Sequence, residues 1–183
     1  FKQDDGRHRA KHRMESGAML TISAIFFLLL MSAFFSGSET ALTAASRARM
    51  HKLEGDGDKR ARRVNLLIRN RERLIGSILV GNNLVNILAT TLASGLFVAW
   101  FGEGGVAIAV ATATMTVLIV LFSEIAPKTA ALARPDTLAL FVAPVIRWVV
   151  FLLSPVTWFA TRFVRVFLRA LGVNAASVEQ IFS

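Results

Sequence analysis

The stretch AMLTISAIFFLLLMSAFFSGSETALTAASRAR, residues 18–49, decides the fold. Residues 18–35 carry no charge, and as a helix such a run just crosses a hydrocarbon core of about 30 Å. SGSET follows at once, and then Arg47 and Arg49. Serine, glycine and threonine at that point read as a helix break at Gly37 and a fresh helix start. Glu39 falls in the first turn of the new helix, where a carboxylate is favoured and solvated.

The rest of the chain repeats this contrast. Of the 183 residues 54% are hydrophobic, yet the formal net charge is +9. Mean hydropathy is +0.55. Apolar and basic blocks alternate instead of mixing, which is the pattern of a helical membrane protein. The basic residues flank the apolar runs, so the anionic headgroups of a lipid bilayer account for them better than nucleic acid does. No aromatic-and-basic interleaving of the strand-binding kind is present. Cysteine is absent and His8, His12 and His51 are dispersed outside the apolar runs, so disulfides and thiolate or imidazole metal sites are not expected.

The expected architecture is all-α, with three transmembrane helices per subunit, broken polar helix ends and cytosolic juxtamembrane amphipathic helices. Residues 1–17 read as a disordered head or one foreign to the native chain. The spans are placed at 18–35, 74–100 and 106–122. Juxtamembrane segments take 39–73 and 136–171. The first of these holds two helical pieces split by GDGD at 55–58. In the second, residues 138–153 carry Pro144 and Arg147 and read as a helix lying in or dipping into the cytosolic leaflet. Beyond them Arg162, Arg165 and Arg169 form one stripe of an interfacial helix. The loop after the first span and the tail after the third are basic, and the turn FGEGG at 101–105 has no lysine or arginine. The basic segments are therefore cytosolic and the N-terminus is outside, although the basic head argues the other way.

Polar residues inside or beside the spans supply candidate chemistry. Ser32 and Ser36 lie four apart, on one helix face, as do Asn82 and Asn86. Asn83 points about 100° away from Asn82, so only one of the two can face a given site. Gly81 permits close helix approach. Glu124 ends the third span after Thr112 and Thr116, and an intramembrane carboxylate is a functional hypothesis by default. Pro127 cannot donate to the carbonyl of Ser123, which frees an oxygen beside Glu124. Broken helices of this kind are tolerated where they line a site. The set is oxygen only, which suits hard cations such as Mg²⁺ or Ca²⁺. A single carboxylate offsets part of a divalent charge, as befits an ion that must be released. Taken one at a time, the Ser, Thr and Asn residues also fit a role as interhelical hydrogen-bond glue.

FFSGSETAL, GNNLVN and SEIAPKTAAL, in this order and separated by apolar spans, resemble the transmembrane domain of the CNNM/CorC magnesium transporters, also described as haemolysin-C-like. The resemblance covers residues 32–171. It implies a homodimer with three spans per subunit and a Mg²⁺ site formed by Ser32, Ser36, Asn82 and Glu124. Asn83, Asn86, Ser123 and Thr116 are the additional site or pathway candidates, and Gly37 and Pro127 the helix breaks. It further implies Mg²⁺ efflux coupled to Na⁺ entry across a bacterial or archaeal plasma membrane. Family members continue into nucleotide-binding CBS modules. Residues 172–183 would begin the linker to them, so ATP would act only through modules absent from this chain. The rival reading is a membrane anchor or sensor that binds Mg²⁺ without transporting it. An enzyme is not expected, since no nucleophile–base pair or carboxylate cluster is present.

Overall fold

Backbone polar groups in hydrocarbon must be satisfied within the chain, so long uncharged runs become helices. The computed structural model describes residues 2–102 and 104–170, with side chains described from residue 16 onward except 165 and 168–170. Among them are α1 (Lys2–Ala44), α2 (Arg47–Gly55), α3 (Lys59–Arg69), α4 (Arg71–Phe101) and α5 (Gly105–Leu118). A π-helical segment (Ile119–Ile125), α6 (Ala126–Ala133) and α7 (Pro135–Ala170) complete the order. The described residues include no strand. The expected linker, residues 172–183, lies outside them.

Four stretches are long and apolar enough to cross a membrane: Ser16–Ala44, Arg71–Phe101, Gly105–Ala133 and Pro135–Val164. The chain is thus an all-helical, multi-pass membrane protein. The fourth stretch is one more than the three spans expected, because α7 continues through Pro144 and Pro155.

Three local expectations are corrected. Gly37 does not break α1, which runs on to Ala44. Ala41 and Leu42 are 0% and 1% exposed, and their burial outweighs the cost of about 1 kcal/mol for a mid-helix glycine. Secondly, Pro127 does not end its helix. The chain widens into the π segment just before it, and the N–H of Ala126 bonds Leu121 O, five residues back. A proline clashes with the carbonyl four residues earlier, and a wider turn relieves that clash. Thirdly, α1 begins at Lys2, so the head is helical. Its Lys, Arg, Glu and Gln residues are good helix formers.

The chain divides into two compact units. The first is 1–34 with 82–127, and the second 35–81 with 128–183. In the first unit Ala89, Ala93 and Met115 form a buried cluster, packed by Ile25, Leu28, Leu29, Leu118 and Ile119. Alanines four apart let α1 and α5 approach α4 closely.

In the second unit the core comprises Leu42, Met50, Val64, Leu74, Ile78 and Ile146. Ser46 caps α2, its hydroxyl accepting from the Arg49 N–H. Asp136, at the start of α7, accepts from the Ser46 N–H at 2.8 Å and from the Arg49 guanidinium at 3.1 Å. Asn65 of α3 donates to Glu54 of α2 at 2.6 Å. Gly81 is a close-approach glycine: a Cβ there would meet the Phe35 ring at 3.1 Å and Leu153 Cδ1 at 3.3 Å.

Candidate functional site

The polar residues of the first unit gather around α1. Ser32 is fully buried, and its hydroxyl donates to Asn82 Oδ1 at 2.8 Å. One turn earlier, the Leu29 carbonyl accepts the Ser123 hydroxyl at 3.1 Å. Helix α4 and the π segment therefore meet α1 on adjacent turns, and Glu124 follows Ser123 directly. Glu124 is half-buried. Asn82 is half-buried and Asn83 exposed, so of the two neighbours Asn82 faces Ser32.

The π segment alters the backbone oxygens available here. Whether counted four or five residues back, the bond into Ser123 O or Phe122 O from position 127 is missing, because proline has no N–H. The Ser123 hydroxyl itself is occupied by Leu29. Ser123 can offer a ligand its carbonyl, and its hydroxyl keeps acceptor lone pairs while it donates.

The other candidates separate. The Asn86 amide oxygen is buried without a hydrogen-bond partner among the described residues, while its carbonyl accepts from Thr90 at 2.9 Å. Thr116 is exposed and its hydroxyl donates to Thr112 O at 2.8 Å, so its proton is used within its own helix. Ser36, in the second unit, is 1% exposed, and its carbonyl accepts from Thr40 at 3.3 Å. On α1 it lies one turn beyond Ser32, on the same face. Gly37 sits within an unbroken helix.

Two oxygens escaped sequence reasoning. The hydroxyls of Ser38 and Ser77, in the second unit, are buried and have no hydrogen-bond partner among the described residues. A serine in a helix ordinarily satisfies itself on a carbonyl of the preceding turn, so nothing in sequence marks an unsatisfied one. Among the described residues no three His, Cys, Asp or Glu side chains cluster as a metal site would. A cation here would depend on neutral oxygens and Glu124.

Residues 23–183 match the model of the cyclin M transmembrane N-terminal domain. The UPF0053 inner membrane protein YfjD of Escherichia coli K12 is 35% identical over 79% of this chain and 33% of its own length. A UPF0053 protein of Haemophilus influenzae is 32% identical over 93% of this chain and 40% of its own. A second protein of that organism, named polyamine export protein, is 27% identical over 89% of this chain and 40% of its own. The chain spans between a third and two fifths of the length of these relatives.

Proposed function

Because the chain belongs to the cyclin M transmembrane domain family, we propose that it exports Mg²⁺ as a homodimer, coupled to Na⁺ entry. The observation that carries this reading is the part-buried Ser32–Asn82 pair, its oxygens 2.8 Å apart. Mg²⁺ demands octahedral oxygens at about 2.0–2.1 Å, so adjacent ligands sit about 2.9 Å from each other. The same separation suits a hydrogen bond in the ion-free protein, so a dehydrated ion would meet both oxygens once the hydroxyl proton rotates away, without moving either helix. Glu124 supplies the charge and Ser123 a carbonyl.

The same reading has three spans, with the N-terminus outside and α7 along the cytosolic surface. Successive residues of α7 meet α2 (Asp136 with Ser46 and Arg49) and a cleft at the corner of α3 and α4 (Arg147, Val150 and Phe151). They then meet the first turns of α4, Ser154 with Arg73 and Leu153 beside Gly81. A helix crossing the bilayer beside α4 would meet steadily deeper residues of it. From 136 to 157, about 32 Å of helix, α7 stays with residues 46–81. Crossing would also carry Arg147 to the bilayer centre, at a cost of about 2.5–3.5 kcal/mol or more.

The test is flux in proteoliposomes enclosing a Mg²⁺-sensitive dye, with the full-length protein as reference. Loss of flux in Glu124→Ala and Asn82→Ala, with the fold intact, supports export. A parent that is silent even at full length, but is still stabilised by Mg²⁺, would make it an anchor or sensor. The relative named for polyamine export calls for a parallel arm. Polyamine flux insensitive to Asn82→Ala would move the cargo reading away from a small ion.

A further inference from the structure

Three arginines from three helices line one cleft in the second unit: Arg63 of α3, Arg73 at the start of α4 and Arg147 of α7. The cleft measures about 210 Å³, and no acidic residue lines it. Its floor is apolar, with Leu67 and Leu74 7% and 2% exposed, and its rim carries the exposed Leu66 and Phe151. Arg73 donates to the Ser154 hydroxyl. The described ion pairs are Arg49–Asp136 and Arg60–Asp58, so Arg63 and Arg147 have no carboxylate partner among the described residues. Three cations facing one small cleft repel each other until an anion joins them.

We propose that this cleft binds the phosphate of an anionic phospholipid, with the acyl chains running over Leu66 and Phe151. Guanidinium forks match phosphate oxygens in paired hydrogen bonds. An apolar floor beside a cationic rim fits a molecule that is charged at one end and apolar at the other, which free phosphate is not. A second cleft of about 220 Å³ shares Arg73 and adds Ser154, Thr157 and Trp158, with Glu72 at its edge. Its hydroxyls suit the polar part of a headgroup, and an exposed tryptophan is a common interface anchor. The site is separate from the Ser32–Asn82 pair and independent of the cargo.

The test is tryptophan quenching of the whole chain in phosphatidylcholine nanodiscs doped with brominated phosphatidylglycerol or brominated phosphatidylcholine. Trp148 and Trp158 are the reporters, in a Trp100→Phe background. The expected result is quenching by the anionic lipid at least about fivefold stronger than by the neutral one. Arg63→Gln with Arg147→Gln should abolish that preference, and Arg62→Gln with Arg69→Gln, which removes equal charge outside the cleft, should leave it. Equal loss in both pairs reduces the effect to diffuse surface charge and overturns the proposal. So does full protection by inorganic phosphate, which would make this an anion site without lipid preference. Should the first pair fail to fold, Arg147→Gln alone carries the test, with at least about half the preference lost and Arg147→Lys restoring part of it.

Discussion

Ser123 donates its hydroxyl to the carbonyl of Leu29, 3.1 Å away on a helix 94 positions earlier in the chain. That bond fixes the π segment against α1 and turns Ser123 into two separate instruments: a hydroxyl that ties and a carbonyl that can bind. Ser123→Ala removes the first and keeps the second. The expected loss of stability is about 0.6–2 kcal/mol, typical of interhelical hydrogen bonds in membranes. Stabilisation by added Mg²⁺ should persist. Thermal melts in detergent, with and without the ion, measure both, and loss of the ion response would assign the hydroxyl to the site.

Pro127→Ala restores a backbone donor where two carbonyls lack one. The π segment should relax towards ordinary α geometry and the protein should become more stable, by up to about 3 kcal/mol. If the widened turn is needed for transport, flux should fall at least tenfold in the same variant. A variant that is more stable and equally active would detach the π segment from function.

Gly81→Val should destabilise by about 1–3 kcal/mol through overpacking, because the Phe35 ring and Leu153 already stand at 3.1 and 3.3 Å from the missing Cβ. Phe35→Leu combined with it should recover part of the loss. A double-mutant cycle of chemical or thermal unfolding reads the coupling, and strict additivity would contradict the contact.

Asp58 caps α3, accepting the Arg60 N–H at 2.7 Å. That hydrogen bond, with help from the Arg60 guanidinium, holds its carboxyl below the ordinary value of 3.8, against the opposing effect of desolvation. A folded value below the unfolded one means a stabilisation fully present above about pH 4. It is lost as pH falls through the lowered folded value. Asp58→Asn should flatten that acid limb while leaving stability at neutral pH little changed, since asparagine also caps well. Acid titration of helicity follows it, and an unchanged limb would remove Asp58 from the account.

The apolar runs were legible because an uncharged stretch of membrane length has few alternatives to helix. Helical rotation allows only one of Asn82 and Asn83 to face α1, and it was the resemblance that named Asn82. Gly37 misled because SGSET carries every local mark of a helix start, while the burial of Ala41 and Leu42 that overrides it is a tertiary fact. The π segment was not readable, since proline announces a disturbance and not the form it takes. The arginine cleft was hidden for a simpler reason: Arg63, Arg73 and Arg147 are scattered along the chain, and no spacing rule links them.

The second unit is assembled from two pieces of chain, 35–81 and 128–183, so during synthesis its halves emerge at different times. Until Asp136 leaves the ribosome, α2 lacks the acid that closes its first turn. Until residue 153 follows, Gly81 faces an empty slot. The earlier helices must therefore wait, half-built, for the last helix to clasp them, and a nascent chain halted before that moment is the form most exposed to proteases and quality control.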